Sequence, residues 1–346
     1  MGGSASERAA EKVSSAALCE RVAVTICTKD RPLDLARAID SIRASGEWAR
    51  TVEIIVVEEG DAPRPVAGVR YVYLPRRGLG FGYARNRAVA ASSKEIVVFI
   101  DDDCEAETGW LQALLEPFRE NPAVLGVAGA VLVRDCGLIG YAENVLGFPG
   151  GGLRYLHAAQ GRVVPTHYLS TCNCAYRRDA ILQAGGFVEQ AQHGGEDSLL
   201  AERISRIGPC RYAPRAVVYH RTRNSVPAVF RWFVRRGTSE VTMLGQTTEP
   251  AAFFRYFLRS SWTVRILILA IVLARWPTLV GLVPVAALSY YAALLWRFRF
   301  ARVYPTHRAA WWLVPVVKLV ADIGADLGRW KAVMRTATTW VSRTPS

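Results

Sequence analysis

Short apolar runs alternate with helical patterns between Arg21 and Asp103, and this alternation limits the possible folds most strongly. The apolar runs are VAVTIC (22–27), VEIIVVEEG (52–60), VRYVYL (69–74) and EIVVFI (95–100). Helical patterns over 33–45 and 80–93 lie between them. Strands separated by helices usually pair in parallel, with helices on both faces of the sheet. The sequence therefore predicts an α/β domain that binds ligands at the carboxyl ends of its strands.

The following stretch, residues 104–240, is less regular. TGWLQALLEPF and GEDSLLAERISRIG have helical patterns, whereas LGVAGAVLV (125–133) and RAVVYHR, which contains His220, are strand-like. STCNCAYRRDAILQAGGF is typical of a strand that turns into a helix, and its Cys172 and Cys174 are interpreted as packing residues. The glycines of FPGGGLRY predict a loop.

Three aspartates, Asp101, Asp102 and Asp103, directly follow the apolar run VVFI. If the chain stays extended, Asp101 and Asp103 point to the same side. Two carboxylates held close together repel each other, and a divalent cation removes that conflict. Mg²⁺ and Mn²⁺ commonly bind one or two carboxylates together with substrate phosphates. The pattern indicates a metal–diphosphate site, with capping of the following helix as the alternative.

A glycine-rich turn, GLGFG (78–82), follows the third strand and opens a helix. Its spacing is G-x-G-x-G, which differs from the G-x-G-x-x-G of dinucleotide-binding folds. The glycines instead favour close approach of the backbone and Arg85 to a phosphate at the helix start. A capping or solvated-helix role for Arg85 is the alternative.

The charge and the cysteines limit the cellular setting. The formal net charge of +13 indicates an anionic partner. The seven cysteines contain no CxxC pair, so reduced thiols in a cytosolic compartment are expected. Residues 1–20 resemble a flexible leader without an apolar signal-peptide core, so no export of the first half is expected.

Residues 241–346 have a different composition and predict membrane-associated helices. Residues 277–296 carry no charge and, as a helix, would span about 30 Å, the thickness of the bilayer hydrocarbon. Residues 256–274 form a second apolar segment. Arginines flank both segments on their outer sides, which favours a helical hairpin, crossing or re-entrant, with both ends cytoplasmic. A soluble helical cap domain is the alternative.

A further helical pattern over 309–330 predicts an amphipathic helix at the membrane interface. Its apolar face consists of Trp312, Val316, Leu319, Ile323, Leu327 and Trp330. Lys318, Asp322 and Arg329 lie on the other face.

Six motifs in order resemble those of family 2 glycosyltransferases of the GT-A fold. They are VAVTICTKDRPLDLARAIDSI, EIIVVEEG, GFGYARNRAVAAS, IVVFIDDDC, GGEDSLLAERI and VVYHRTRNS. The resemblance covers residues 21–240, with a nucleotide-binding half (21–104) and an acceptor-binding half (105–240). It implies a nucleotide-diphosphate sugar as donor, Mn²⁺ or Mg²⁺ as cofactor, and inversion at the anomeric carbon.

The resemblance also implies roles for single residues. The residues implied to contact the donor are Thr28, Asp30, Arg31, Glu58, Arg85, Asp101 and Asp102. The implied metal ligands are Asp103, His220 and Asp101, although a strand-end histidine bound to the backbone is the alternative for His220. Asp197 is implied as the general base and Glu196 as the residue that orients the acceptor, with helix N-terminal acids as the alternative. Glu58 stands where the family usually has Asp, which leaves the nucleotide open.

The sequence thus predicts an inverting, metal-dependent glycosyltransferase at the cytoplasmic face of the cell membrane. An anionic membrane and a lipid-linked or glycan acceptor are the expected partners, and cell-surface or exopolysaccharide synthesis is the expected role. Nucleic acid is not expected, because many arginines crowd residues 203–308 beside the apolar segments. A nucleotidyltransferase and a non-catalytic nucleic-acid or membrane binding protein are the alternatives. The sugar, the nucleotide and the oligomeric state stay open.

Overall fold

The computed structural model describes residues 19–189, 194–247 and 250–341. Residues 1–18 of the predicted leader lie outside the described residues. The described chain divides into two compact units. The sheet unit consists of residues 19–134, 147–189 and 196–221, and the helical unit of residues 135–146, 194–195, 222–247 and 250–341.

The described part of the sheet unit contains one mixed sheet of nine strands. The strands are β1 (Val22–Thr28), β2 (Glu53–Gly60), β3 (Arg70–Pro75), β4 (Ile96–Ile100), β5 (Cys104–Ala106), β6 (Gly126–Leu132), β7 (Val164–Pro165), β8 (Asn173–Arg177) and β9 (Cys210–His220). Their order is β3-β2-β1-β4-β8-β6-β9-β5, with β7 beside β9. The first four strands are parallel, whereas β8 runs antiparallel between β4 and β6. The predicted α/β fold is confirmed.

The α-helices follow the predicted alternation closely. They are α1 (Pro32–Ala44), α2 (Glu47–Thr51), α3 (Phe81–Ala91), α4 (Trp110–Glu120), α5 (Leu138–Leu146), α6 (Gly152–Ala159), α7 (Arg178–Gln183), α8 (Glu196–Ile207), α9 (Val226–Thr247), α10 (Pro250–Ser260), α11 (Trp262–Arg275), α12 (Val283–Arg297), α13 (Pro305–Arg308) and α14 (Val314–Val341). Short 3-10 turns occur at Pro277–Leu282, Arg299–Val303 and Trp311–Leu313.

The loop prediction for FPGGGLRY is wrong in its second half, because α6 begins at Gly152. Gly150 and Gly151 adopt positive φ angles of 57° and 91°, so the turn that the glycines predict lies just before the helix. Leu153 is fully buried and anchors α6 against the sheet unit's core. The glycine composition of this segment concealed the apolar spacing of the helix that follows.

The core of the sheet unit lies between the sheet and its helices. Every residue of β4 is buried, as the unbroken apolar run predicts for a central strand that is covered on both faces. The predicted apolar face of α1, Leu35, Ile39 and Ile42, is buried as well. Each such side chain contributes about 1.5–3 kcal/mol through removal of apolar surface from water.

A buried asparagine joins three elements where β6 is irregular. The register of β6 against β9 shifts between Gly129 and Ala130. The amide nitrogen of the Asn173 side chain donates to the carbonyl oxygens of Ala130 at 2.9 Å and Ala216 at 2.7 Å. Its amide oxygen accepts from the indole N–H of Trp110 at 2.8 Å. The side chain thereby satisfies backbone groups that the irregular ladder leaves unpaired.

In the helical unit, α9 packs along α14 through small residues. A Cβ atom at Gly237 would overlap the carbonyl oxygen of Ala325, and one at Gly328 would overlap that of Val234. The hydroxyl of Thr238 lies 3.2 Å from the carbonyl oxygen of Gly328 and donates across the contact. Glycine at these positions lets the two helix backbones approach closely.

One segment of the described chain, Pro277–Arg297, is long and apolar enough to cross a membrane. It has 21 residues, a mean hydropathy of 1.8 and only 6% of its most apolar window buried. The predicted first limb, 256–274, is divided at Ser261, whose hydroxyl caps α11 by accepting from the amide of Val264 at 3.3 Å. As a helix of 14 residues, α11 is about 21 Å long, which is shorter than the hydrocarbon layer.

The apolar face predicted over 309–330 is largely exposed. Its exposed members are Trp312, Val316, Leu319, Ile323 and Leu327. All but Trp312 lie on α14, and together they form an apolar surface that the chain's own described residues do not cover.

Replacement of Gly129 by alanine should destabilise the sheet unit. The new Cβ would overlap the Asn173 side chain and the backbone oxygen of Ala216, and neither can move without breaking the bulge. We expect a loss of about 1–3 kcal/mol in the free energy of unfolding, measured by urea titration of the full chain in detergent. Gly137→Ala is the control, since its Cβ would meet nothing within 4 Å. Equal stability of the two variants would contradict this prediction.

Candidate active site

The three aspartates lie in a tight turn and not in an extended strand. β4 ends at Ile100, and the amide nitrogen of Cys104 donates to the carbonyl oxygen of Asp101 at 3.1 Å. The alternation of side-chain directions along a strand therefore stops at the end of β4. Each of the three carboxylates has its own partners.

Asp102 is buried beneath the turn. Its carboxylate accepts from the hydroxyl of Thr28 at 2.7 Å and from Nη1 of Arg31 at 3.1 Å. Burial raises the pKa of Asp102 to about 6, against the opposing effects of Thr28 and Arg31. Asp102 thus connects the turn to the end of β1.

Asp103 lies between a guanidinium group and an imidazole. Its Oδ2 accepts from Nη1 of Arg31 at 2.9 Å, and its Oδ1 is 3.2 Å from Nε2 of His220. The other ring nitrogen of His220 is 2.6 Å from the carbonyl oxygen of Arg221. Burial lowers the pKa of His220, but the neighbouring Asp103 carboxylate reverses this effect and raises the pKa to about 10. The strand-end histidine therefore contacts both the backbone and the acidic turn.

Asp101 is connected to the start of α8 through Arg85. Nη2 of Arg85 is 3.3 Å from Oδ1 of Asp101, and Nη1 forms a short ion pair with Glu196. Arg85 and Glu196 are 6% and 2% exposed, so this pair is shielded from water. Burial raises the pKa of Glu196, whereas Arg85 opposes that rise. Arg85 holds two carboxylates from distant parts of the chain in one place.

Asp197 has a different environment from its neighbour Glu196. Its Oδ1 accepts from the amide nitrogen of Ser198 at 2.7 Å, within the first turn of α8. The side chain is partly exposed, whereas that of Glu196 is buried. Two adjacent acids therefore differ in burial and in partners.

A second group of predicted residues gathers at the ends of β2 and β3. Glu58 is buried and accepts from the hydroxyl of Tyr71 at 2.6 Å, and its other oxygen is 2.5 Å from Nη2 of Arg64. Asp30 is 2.7 Å from Nη2 of Arg76 and 3.3 Å from Arg64. Arg64 thus joins Asp30 to Glu58.

The structure therefore brings the predicted residues together in two groups. The acidic group contains Thr28, Arg31, Arg85, Asp101, Asp102, Asp103, Glu196 and His220, with Asp197 next to it in the chain. The second group contains Asp30 and Glu58. Sequence reasoning missed Arg64 and Tyr71, which contact Glu58 but have no local signal in the sequence.

Cys172 makes a polar contact in addition to its packing in the core. Its thiol donates to Oδ2 of Asp101 at 3.0 Å. A hydrogen bond from Cys104 lowers the pKa of Cys172. Cys174, in contrast, lies in a separate apolar cluster with Phe99 and Tyr176.

The donor atoms at this turn fit a divalent cation. One ligand atom each from Asp101, Cys172 and His220 lies within 4.8 Å of the others, and the same holds for Asp103, Cys104 and His220. Carboxylate oxygens and an imidazole nitrogen are ordinary ligands of Mn²⁺ and related ions. The predicted ligands Asp101 and Asp103 thus fall into two separate groups, each with a cysteine, and His220 is common to both.

Comparison with known proteins agrees with this geometry. Residues 23–183 match the family model described as Glycosyl transferase family 2. The chain is 29% identical over 218 residues to the pre-mycofactocin glycosyltransferase of Mycobacterium tuberculosis, covering 58% of this chain and 42% of that protein. It is 24% identical over 122 residues to the glucosyl-dolichyl phosphate glucuronosyltransferase of Haloferax volcanii, covering 32% of this chain and 38% of that protein. The chain spans less than half the length of these curated relatives.

A solved structure supports the same fold. The mannosyltransferase PcManGT from Pyrobaculum calidifontis, in complex with GDP-Man and Mn²⁺, matches with a TM-score of 0.56 and 20% identity. The match covers 88% of this chain and 86% of that one. The sheet unit therefore has a GT-A-like α/β fold, as predicted. Residues 23–183 carry a glycosyl transferase family 2 domain, and the predicted family is confirmed for that part of the chain.

Replacement of Arg85 by methionine should destabilise the protein strongly. It would leave Glu196, one oxygen of which already has no hydrogen-bond partner, as an uncompensated buried charge. We expect a loss of about 3–5 kcal/mol in the free energy of unfolding. The loss should be smaller at pH 5 than at pH 8, because the isolated carboxyl group then binds a proton in the folded state.

The matched control is Arg21→Met, which removes one partner of the exposed pair with Glu95. Such surface pairs contribute about 0–1 kcal/mol. Urea titration at both pH values measures both variants. A similar loss for the two, or a loss that is independent of pH for Arg85→Met, would contradict the interpretation of the buried pair.

Proposed function

We propose that the protein transfers a sugar from a nucleotide-diphosphate sugar to an acceptor hydroxyl, with inversion at the anomeric carbon. The observation that carries the proposal is the convergence of Asp101, Asp103 and His220 with the Arg85–Glu196 pair at neighbouring strand ends of a family 2 domain. Ligands of open α/β sheets bind at such ends. The family match gives no support to the nucleotidyltransferase or nucleic-acid alternatives.

On the donor side, Asp103, His220 and Asp101 would hold a divalent cation. When bound, that cation would neutralise the charge that develops on the departing diphosphate. Arg31 spans Asp102 and Asp103 and fixes their orientation. Asp30 and Glu58 are proposed to contribute to binding of the nucleoside part of the donor. Because Tyr71 and Arg64 engage both oxygens of Glu58, its proposed contribution is to position these two side chains.

On the acceptor side, Asp197 is the proposed general base. As the acceptor oxygen attacks the anomeric carbon, its proton passes to the Asp197 carboxylate. The bond between the anomeric carbon and the diphosphate oxygen breaks, and the electron pair leaves with the nucleoside diphosphate. Glu196 is proposed to orient the acceptor, and Arg85 positions Glu196 relative to Asp101. A lipid-linked or glycan acceptor in cell-surface or exopolysaccharide synthesis is the proposed setting.

Conservative replacement of the proposed base should separate chemistry from binding. We expect Asp197→Asn to lower the transfer rate by about 10²–10⁴-fold while nucleotide binding persists. Asp103→Ala should weaken both the transfer and the metal-dependent binding of the nucleotide. Release of nucleoside diphosphate measures the first effect, and thermal shift with a panel of nucleotide sugars that includes GDP-Man measures the second.

The control is Asp179→Asn, which removes an exposed acid from the first turn of α7. It matches Asp197 in residue type and in position within a helix, but it takes no part in the proposed chemistry. Undiminished transfer in both Asp103→Ala and Asp197→Asn would refute the assignment.

Membrane association is the second part of the proposal. Segment 277–297 is long and apolar enough to cross a bilayer, and the face along α14 is exposed and apolar. Between Glu249 and Asp322 the sequence has eight arginines and no acidic residue. Such a basic segment is attracted to the anionic lipid of a cytoplasmic leaflet. We therefore propose that the catalytic domain lies on the cytoplasmic side of the cell membrane.

Charged substitutions in the apolar segment should release the protein from membranes. Each aspartate in Val285→Asp/Leu288→Asp costs about 2.5–3.5 kcal/mol near the centre of a spanning helix. We expect the wild-type chain to resist carbonate extraction from cell membranes and the double variant to be extracted.

Leu182→Asp/Ile207→Asp is the matched control, because it places two aspartates at exposed apolar positions of the sheet unit. This control should stay with the membrane fraction. Extraction of the wild-type chain, or identical behaviour of the two double variants, would contradict the proposed membrane segment.

A further inference from the structure

Two cysteines in contact with each other, Cys104 and Cys172, lie beside the acidic turn, and the proposed mechanism uses neither. Strands β4 and β8 are antiparallel, with Ile100 opposite Asn173, so Asp101 and Cys172 occupy the next position of this ladder. Strands β5 and β9 are also antiparallel, and Cys104 lies directly opposite His220. The strand register therefore places both thiols beside the carboxylates of the acidic turn, and this region is called the corner below.

The donor atoms lie close to the separations found in a metal site. Sγ of Cys172 is 3.0 Å from Oδ2 of Asp101, and both lie within 4.8 Å of a ring nitrogen of His220. Metal–ligand bonds of about 2.0–2.3 Å place tetrahedral ligand atoms about 3.3–3.8 Å apart. Small side-chain adjustments would therefore suffice for all three to bind one ion.

The histidine is already oriented as a metal ligand. Its Nδ1 lies 2.6 Å from the carbonyl oxygen of Arg221, to which an N–H donates, and this leaves Nε2 directed to the acidic turn. Metal-bound histidines usually donate their second ring N–H to a carboxylate or a backbone carbonyl in this way. The arrangement supports His220 as a ligand through Nε2.

The mixture of donor types determines which ions are suited to the site. Mg²⁺ prefers oxygen ligands, whereas a thiolate with an imidazole and a carboxylate favours borderline ions such as Zn²⁺ and Co²⁺. Catalytic zinc sites keep three protein ligands and one open position. Cys172, His220 and Asp101 provide three ligands and leave a position for a diphosphate oxygen.

We propose that Cys172 takes the place of Asp103 among the ligands of this corner, so that Cys172, His220 and Asp101 hold a zinc-class cation while Asp103 stays paired with Arg31. This inference deepens the proposed function and rests on it, because it takes this corner as the cation site for the sugar donor. The Cys172 sulfur selects the ion, and the Cys104 side chain supports Cys172 through a hydrogen bond. Mn²⁺ and Mg²⁺, which gain little from a sulfur ligand, bind more weakly than Zn²⁺.

Cobalt is the spectroscopic probe for the sulfur ligand. The full chain in detergent, reduced and metal-free, is titrated with Co²⁺, and a sulfur-to-cobalt charge-transfer absorption is expected in the near ultraviolet. Zn²⁺ should abolish this absorption by competition. Cys172→Ser should lack the absorption and should bind Zn²⁺ at least about 10–100-fold more weakly, since even outer partners of a metal ligand contribute that much.

Cys174→Ser is the matched control, because Cys174 is also buried, two residues further on, but lies in a different cluster. It should retain the absorption. X-ray absorption of the zinc-loaded wild-type chain provides a second measurement that needs no variant, and a sulfur shell at about 2.3 Å is expected.

Cobalt or zinc bound without a sulfur ligand in the wild-type chain would overturn the inference and leave the proposed transferase intact. An absorption that persists in Cys172→Ser would overturn it as well. Thermal shift with nucleotide sugars is measured on the same samples. A sulfur-ligated cation without any nucleotide binding would confirm the cation site and count against the proposed function instead.

Discussion

The structure of the site depends on the compensation of negative charge gathered at the strand ends. Three consecutive aspartates and the buried Glu196 would repel one another and resist burial in the absence of neighbouring cations. Arg31, Arg85 and His220 provide this compensation. Arg31 and His220 contact carboxylates of the aspartate turn, and Arg85 connects this turn to the distant Glu196. The same contacts therefore stabilise the fold and determine the position of the acidic groups.

Glu196 and Asp197 are adjacent in the sequence, but the fold places them in different environments. Glu196 is buried against Arg85, whereas Asp197 is partly exposed and bound to the amide at the start of α8. Burial raises the pKa of Glu196. Adjacent carboxylates held in different environments can divide acid, base and positioning roles in a site. The difference in burial follows from the packing of the start of α8 against Arg85.

Much of the fold could be predicted from local sequence patterns. Strands β1 to β4 and helices α1, α3 and α8 follow from the spacing of apolar residues, because each pattern is contained in a short window. The antiparallel position of β8 could not be predicted, since the pairing of 96–100 with 173–177 depends on contacts distant in the sequence. Glycine composition likewise concealed α6.

The candidate site was predictable to the same extent. Acidic residues at strand ends and the motif order indicated the acidic group. The contributions of Cys172, Arg64 and Tyr71 were not predictable, because none has a local signal and each reaches its partner only through the folded chain. Cys172 and Asp101 are far apart in the sequence, and only the pairing of β4 with β8 brings them into contact.

The Asn173 side chain has a consequence for how this corner responds to change. It ties β8 to β6, β9 and the Trp110 indole in the interior, one residue away from Cys172. Slippage of β8 by one residue would turn the thiol away from the acidic turn and bring a different side chain to Asp101. A change at the fully buried Trp110 indole would thus alter the position of Cys172 beside the acidic turn. The hydrogen bonds of Asn173 in the interior of the sheet unit therefore also determine which side chain faces Asp101.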